Sequence, residues 1–176
     1  DADSRLSMER LSQMAGPDFE LLLPLILLLR PESFREQGYM IEHLHEYVSE
    51  KIGLIVFDTF TTLYRVEVGS REETFLLNRE LNRQMAFLVD VVRDSRTAAL
   101  VISQVRQALD HEPKDARSVE PVATRVLKFW ADLIVALRRV PRGGAVEAWI
   151  EKGENERVQA KCYLCIEERG LRDYGG

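Results

Sequence analysis

The chain has 176 residues, of which 45% are hydrophobic, and it carries a formal net charge of −5 at pH 7. This length is enough for one domain with a sizeable core, and the acidic balance excludes nucleic-acid binding driven by overall charge, so DNA binding would need a local basic patch. The most apolar run, residues 21–29, is too short to cross a bilayer, and the only two cysteines imply no disulfide framework, so we expect a cytoplasmic protein without a membrane segment.

The first part of the chain predicts two helices and two strands. Apolar residues recur at helical spacing over residues 4–14, which predicts a helix. Residues 25–29 are continuously apolar, as in a parallel strand that is covered on both faces, and we predict a buried strand there. Ser33, with a glutamate three residues later, fits a capping box that opens a helix reaching to about residue 50. A further strand is predicted over residues 54–58.

The second part begins with a long helix and another short strand. Apolar residues at steps of three and four predict the helix over residues 73–94, and residues 98–103 read as a buried strand. Residues 104–118 are polar and charged, which predicts a loop of the length that is usually functional or disordered. Residues 119–129 fit either a short helix or an extended segment. The remaining predicted strands are residues 132–140, 145–150 and 158–167.

This order of elements predicts an α/β fold. Helices alternate with buried strands up to residue 103, which favours a mostly parallel, doubly wound sheet. The last three strands are separated by short turns and predict antiparallel C-terminal hairpins at the edge of that sheet. We therefore expect residues 1–176 to form a single domain.

Polar side chains stand where predicted strands end. Asp58 follows one buried strand, Gln104 follows another, and Asp3 lies just before the first helix, as an acid after a strand would. In open α/β sheets, ligands bind at the carboxyl ends of the strands. An acid there can hold Mg²⁺ beside a nucleotide phosphate, or it can merely cap the next turn. Together the three residues favour a phosphoryl-transfer site, in which a glutamine senses the γ-phosphate or orients the attacking water.

Several segments now make a family resemblance recognisable. Covering nearly all of the chain, in order, are DADSRLSMERL, RPESFREQ, LIVFDTFTTLYRVE, NRELNRQM, VISQV, EPVATRVLKFW and IEERGL. In these segments the chain resembles the RecA/RadA recombinase family. The resemblance implies a RecA-like P-loop NTPase core that serves DNA repair and homologous recombination, with ATP and Mg²⁺ as cofactors and single-stranded DNA as a partner.

The resemblance also implies roles for individual residues. The run LIVFD matches the Walker B strand, so Asp58 would act on Mg²⁺ and its water, with Thr59 where the family usually has serine. Asp3 stands where the family has the glutamate that polarises the attacking water. Because aspartate is one methylene shorter, slow or absent hydrolysis is expected. VISQV matches a strand that ends in Asn-Gln-Val, which makes Gln104 the candidate γ-phosphate sensor.

DNA contacts are implied for two loops, at about residues 68–74 and 105–118. Arg71 and Arg106 in these loops, and Arg65 shortly before the first loop, are the candidate contacts to DNA phosphates. The same loops also hold several acidic residues, which would repel DNA, and nothing in them suggests readout of a base sequence.

The phosphate-binding loop of the family is missing from these 176 residues. No Gly-x-x-x-x-Gly-Lys-[Ser/Thr] occurs anywhere in the sequence. We therefore expect the chain to lack the first strand–P-loop–helix unit of the fold, as a fragment does, rather than to be a short protein with a decayed ATPase. Alone, it is expected to be inactive and to bind ATP weakly, so whether it acts as an enzyme stays open.

Two other functions remain possible on the sequence. The chain fits a non-catalytic RecA-like paralogue that binds and modulates a true recombinase, or that associates with itself. It also fits another RecA-like ATPase of the clock or helicase type, although the ending IEERGL argues against that reading.

Other reactive residues have structural interpretations. Cys162 and Cys165 have the spacing of a zinc or redox pair, but on a strand they point to opposite faces, so core packing is favoured. His43 and His45 lie two apart on a predicted helix and do not share a face. Arg138 lies near a hairpin turn, where it would either solvate a sheet edge or contact DNA.

Overall fold

The computed structural model describes residues 1–103, 122–140, 144–153 and 160–174 of the chain. Its α-helices are α1 (Met8–Ala15), α2 (Phe19–Leu22), α3 (Phe34–Glu42), α4 (Leu44–Tyr47), α5 (Thr62–Glu67), α6 (Arg71–Asp94) and α7 (Val122–Trp130), and short 3₁₀ helices span Gly16–Asp18 and Leu23–Leu25. Its strands are β1 (Leu54–Phe57), β2 (Ala98–Val101), β3 (Ile134–Arg139), β4 (Ala145–Lys152), β5 (Lys161–Glu167) and β6 (Gly170–Asp173). The predicted α/β class is therefore confirmed.

The first compact unit consists of Asp1–Arg5 and Leu29–Trp130. Its strands β1 and β2 pair in parallel, and helix α6 lies in the crossover connection that such a pair needs. The long crossover helix α6 supplies the apolar stripe that was predicted from its spacing, and it packs with α3, α5 and one face of the strands around a common core. The largest side chains of this core with less than 2% exposure include Phe34, Ile41, Phe60, Leu81 and Leu88.

Helix α6 begins with a capping box that we did not predict. The Ser70 hydroxyl accepts a hydrogen bond from the Glu73 backbone N–H, and the Glu73 carboxylate accepts one from the Ser70 backbone N–H at 2.8 Å. Two backbone donors that the helix itself leaves unsatisfied are bonded in this way. The hydrogen bond from the Ser70 backbone N–H to the Glu73 carboxylate, followed by one from the Ser70 side chain, holds the pKa of Glu73 below its ordinary value. The helix therefore begins at Arg71, two residues before the predicted start.

Helix α3 begins as predicted but ends earlier. Ser33 caps it by accepting a hydrogen bond from the Glu36 N–H, while the Glu36 carboxylate reaches back to the N–H of Glu32. The predicted helix to about residue 50 is wrong, because His43 separates α3 from the short helix α4. The imidazole of His43 bonds to the Tyr39 carbonyl at 2.8 Å, so a side chain binds an oxygen near the end of the helix.

The second compact unit consists of Leu6–Leu28 and Ala131–Gly176. Its sheet has the order β3-β4-β5-β6 with every neighbouring pair antiparallel, which confirms the predicted antiparallel pairing. The predicted place of these hairpins at the edge of the parallel sheet is wrong, because among the described residues they form a sheet of their own. Strand β6 was not predicted. Its first residue, Gly170, directly follows the turn and has φ +105°, a backbone conformation that side chains disfavour.

The predicted buried strand over residues 25–29 is wrong. Pro24 lies in a 3₁₀ helix, and Leu25 and Leu27 are 73% and 59% exposed. The chain becomes extended at Ile26, yet within the described residues no strand pairs with it. Continuous apolarity marks a candidate for a buried strand, but a strand forms only where a neighbour completes its hydrogen-bond ladder.

Three other segments are a helix that was not predicted, a segment whose prediction was ambiguous and a predicted loop. The threonine-rich turn after β1 continues into helix α5, which the sequence analysis missed. The ambiguous segment 119–129 contains helix α7, so the helical alternative is correct for its described part. The predicted loop over residues 104–118 lies outside the described residues.

Candidate functional site

The turn after β1 begins with an exposed acid that is followed by three buried residues. Asp58 is exposed, whereas Thr59, Phe60 and Thr61 are 4%, 0% and 1% exposed. The Asp58–Thr59 peptide bond is cis. The Phe60 N–H donates to the carbonyl of Ile102 at 3.1 Å, which fixes the turn against the residue that follows β2. An apolar strand thus carries Asp58 to the sheet's carboxyl edge, as predicted.

The first residues of the chain lie beside this turn. The Ala2 N–H donates to the Asp58 carbonyl at 2.9 Å, which places the neighbouring Asp3 near Asp58. The Asp1 carboxylate pairs with Arg30 at 3.5 Å. The structure thus brings together Asp3 and Asp58, which the sequence placed 55 positions apart.

Asp3 carries an unsatisfied buried oxygen. In the described part of the chain, its Oδ1 atom is buried and has no hydrogen-bond partner. A buried polar atom without a partner carries a desolvation penalty of about 1–3 kcal/mol, and more when the group is charged. A water molecule held beside a Mg²⁺ ion at Asp58 would remove that penalty by donating to this oxygen. The residues therefore fit a hydrated magnesium ion.

The two carboxylates of Asp58 and Asp3 are a number that suits magnesium. Among the described residues, no three histidine, cysteine, aspartate or glutamate side chains gather closely enough to enclose a metal. Magnesium is usually held by one or two carboxylates, with waters and substrate phosphates as its remaining ligands. A site with Asp58 and a nearby Asp3 matches that pattern, whereas a structural zinc site would need more protein ligands.

The other predicted site residues are distributed unevenly. Thr59 is buried, and its hydroxyl hydrogen-bonds to that of Thr62. At the end of β2, the Ser103 hydroxyl lies 3.5 Å from that of Thr61, so this strand end also reaches the turn. Gln104 follows Ser103 directly but lies outside the described residues, and its role stays a prediction.

The predicted DNA-contacting arginines are not gathered into one described loop. Arg65 is exposed in the last turn of α5, a short distance along the chain from Asp58. Arg71 is the first residue of α6, so the predicted loop over residues 68–74 is wrong for its second half. The Ser70 capping box is the physical reason, because it starts the helix there. Arg106 lies outside the described residues.

Comparisons with known proteins identify the family. The family model for Rad51 matches residues 4–174. The chain belongs to the Rad51 family. Among its Rad51-family relatives, the DNA repair and recombination protein RadB of Methanococcus maripaludis is 31% identical over 140 residues, which are 79% of this chain and 61% of the relative. The RadB protein of Thermococcus gammatolerans is 33% identical over 176 residues, 98% of this chain and 76% of that protein.

A solved Rad51-family structure supports the same assignment. The crystal structure of the RadB recombinase matches with a TM-score of 0.79 and 29% identity, over 99% of this chain and 77% of that one. The predicted resemblance and the RecA-like fold class are therefore confirmed. The chain spans about three fifths of the length of the first RadB relatives, as the 61% coverage states. None of the helices in the described ranges is long and apolar enough to cross a membrane.

The Rad51-family fold also places residues that the sequence analysis interpreted structurally. Cys162 is exposed on β5 and Cys165 is partly buried, so core packing is wrong for Cys162. The rings of His43 and His45, on either side of the break between α3 and α4, have centroids 6.4 Å apart and planes inclined by 24°. Arg138 lies on β3 and bonds to Glu147 of β4 at 2.9 Å.

Sequence reasoning missed two buried glutamines near the site. Gln37 on α3 and Gln84 on α6 are 3% and 0% exposed, and Gln37 bonds to the carbonyl of Phe60 in the turn. The sequence contained one signal for Gln84, which is its position between Leu81 and Leu88 at the spacing of the apolar stripe of α6. A polar residue at such a core position needs a hydrogen-bond partner inside the protein.

Proposed function

We propose that this chain is the Walker B part of a DNA repair and recombination ATPase, in which Asp58 holds Mg²⁺ beside the phosphates of ATP. The observation that carries the proposal is the buried, unpartnered Oδ1 of Asp3 next to an exposed Asp58 at the carboxyl edge of β1 and β2. The RadB relatives are named as DNA repair and recombination proteins, which supports the assignment to that process.

The chain's own residues divide the work of the site. Asp58 would hold the magnesium through its carboxylate, which is exposed at the turn. Asp3 accepts a hydrogen bond from the attacking water and orients it, since its Oδ1 is the unsatisfied acceptor. The bound ATP supplies the phosphoryl group, and Gln104 would sense its γ-phosphate. Single-stranded DNA would pass near Arg65, Arg71 and Arg106.

The test is DNA-stimulated ATP hydrolysis by the full product of the gene. Asp58→Asn should lower the rate by about 100-fold or more, because electrostatic stabilisation of the transferring phosphoryl group depends on the metal. Asp90→Asn is the matched control, since Asp90 is an exposed acid on α6 away from the turn. Equal rates for the two variants would contradict the proposal.

A second function is favoured by the residue at position 3. Asp3 is shorter than the glutamate that the RecA/RadA resemblance implies there, so a water molecule would lie farther from the carboxylate. A non-catalytic paralogue that modulates a true recombinase tolerates that change. If the unaltered protein hydrolyses no ATP with DNA present, yet binds a recombinase equally well with Asp58→Asn, this second function replaces the first.

A further inference from the structure

Two buried glutamines join helices α3 and α6 in the first unit. Gln37 Nε2 donates to the Gln84 side-chain oxygen at 2.9 Å and to the carbonyl of Phe60 at 3.2 Å. Gln84 Nε2 donates to the carbonyl of Phe34 at 3.2 Å and to Glu80 Oε1 at 3.1 Å. A side-chain amide has two N–H donors. All four donors of the pair are therefore satisfied inside the core.

The packing around this pair leaves little free space. A Cβ atom added at Gly38 would lie 2.8 Å from Gln84 Nε2 and 2.8 Å from Glu80 Oε1. Such distances are shorter than van der Waals contact, so the pair depends on a glycine at this position of α3. Fully satisfied polar networks in a low-dielectric core are rigid. The Gln37 amide is thus fixed in one orientation, with one N–H aimed at Phe60.

Phe60 is bonded through both of its peptide groups. Its carbonyl accepts from Gln37, and its N–H donates to the Ile102 carbonyl beyond β2 at 3.1 Å. Its ring is fully buried. Phe60 lies two residues after Asp58, and residues 59–61 between the strand and α5 are all buried. Whatever fixes Phe60 also fixes the direction in which the turn presents the Asp58 carboxylate.

We propose that Gln37, held by Gln84, is a positioning residue for Asp58. The amide holds the turn through Phe60 in the geometry that binds the metal, without contacting the metal itself. This inference rests on the proposed function for the identity of the ligand, whereas the fixing of the turn does not depend on it. The loss of a residue that orients a metal ligand without contacting the metal typically lowers metal affinity by about 10- to 100-fold.

The alternative is that the pair only sets the packing of α3 against α6. Gln37→Met keeps the length of the side chain and removes the donor to Phe60. Ile41→Val is the matched control, because Ile41 is a buried residue of the same helix, 1% exposed, in the same core. Both variants weaken the packing of α3, but only Gln37→Met removes the contact with the turn. Asp58→Asn removes the proposed metal ligand, so amide resonances that lose their response to the metal in this variant are the ones that report the site.

The first measurement is a Mn²⁺ titration of the full product of the gene, without nucleotide, followed by NMR. Mn²⁺ replaces Mg²⁺ and broadens the amide resonances near its site. We expect selective broadening at residues 58–61 in the unaltered chain and in Ile41→Val, and none in Asp58→Asn. Gln37→Met should need about 10-fold more Mn²⁺ for the same broadening. Equal titrations of Gln37→Met and Ile41→Val would overturn the positioning role.

The second measurement separates this inference from the proposed function. If the unaltered chain shows no broadening at residues 58–61, the magnesium site of the proposed function fails. The positioning role is then decided by amide hydrogen exchange at Phe60, measured relative to amides in the centre of α6. Faster relative exchange in Gln37→Met than in Ile41→Val supports the fixing of the turn by Gln37. Equal relative exchange in the two variants overturns it.

Discussion

At the scale of single residues, Glu147 is a carboxylate whose environment predicts a pH effect. Its side chain is 6% exposed on β4, where it pairs with Lys161 and Arg138. The hydrogen bond from Lys161, followed by the one from Arg138, lowers the pKa of Glu147 in spite of its desolvation. A carboxylate with a lower pKa in the folded chain stabilises the fold above its ordinary pKa, and this stabilisation is lost as the pH falls through the lowered value.

We therefore expect Glu147→Gln to destabilise the chain at pH 7 and to flatten its acid dependence. In the unaltered chain, the free energy of unfolding should fall between about pH 5 and pH 2, because the paired carboxylate becomes protonated there. The measurement is urea unfolding across that range. Glu9→Gln on α1 is the control, since Glu9 is an exposed acid of the same unit. An acid dependence in Glu147→Gln as steep as that of the control would contradict the prediction.

At the scale of elements, the start of α6 depends on the capping box of Ser70. Ser70→Ala removes the hydroxyl that accepts from the Glu73 N–H, and it should lower the free energy of unfolding by about 0.5–2 kcal/mol. Ser70→Asp should retain most of the stability, because aspartate is an equally good cap and its charge suits a helix N-terminus. Thermal unfolding of both variants tests the prediction, and equal losses would contradict it.

The same element shows why the predicted DNA loop was too long. The family resemblance suggested a loop over residues 68–74, but Ser70 and Glu73 form a local helix-start signal within it. That signal is legible in the sequence as a serine with a glutamate three residues later. The predicted loop is wrong beyond residue 70 because this capping box starts helix α6 at Arg71.

At the scale of the whole molecule, the parallel pair of strands predicts self-association. One face of β1 and β2 packs on the core, but Leu54, Val56 and Leu100 on these strands are 55%, 47% and 50% exposed. Parallel sheets are normally covered on both faces. Contiguous exposed apolar residues promote association. We expect the 176-residue chain to associate as its concentration rises, as measured by sedimentation velocity.

Variants on that face test the cause of the association. Val56→Thr together with Leu100→Thr should shift the distribution toward the monomer, because threonine keeps the strand propensity while adding a hydroxyl. Val66→Thr is the control, since Val66 is 79% exposed on α5 rather than on the strands. If the control reduced association as much as the double variant, the strand face would not be its cause.

Much of the fold was predictable because the signals are local. The spacing of apolar residues predicted α6, and the alternation of helix and strand predicted the α/β class. The pattern of an apolar strand followed by an acid predicted Asp58 at the end of β1, where the structure has it. Capping chemistry predicted the start of α3 at Ser33. Each of these features depends on residues within a few positions of one another.

The sequence by itself thus determined the α/β class, the helix that crosses between β1 and β2, and the acid at the end of β1. Only the tertiary structure decided that residues 25–29 are not a strand, that Asp3 lies beside Asp58, and that Gln37 bonds to Phe60. The physical reason is that a hydrogen bond needs an acceptor as well as a donor, and the two often lie far apart in the sequence. Propensity and apolar spacing are properties of a segment, whereas partners come from distant parts of the chain and are fixed only when those parts pack together.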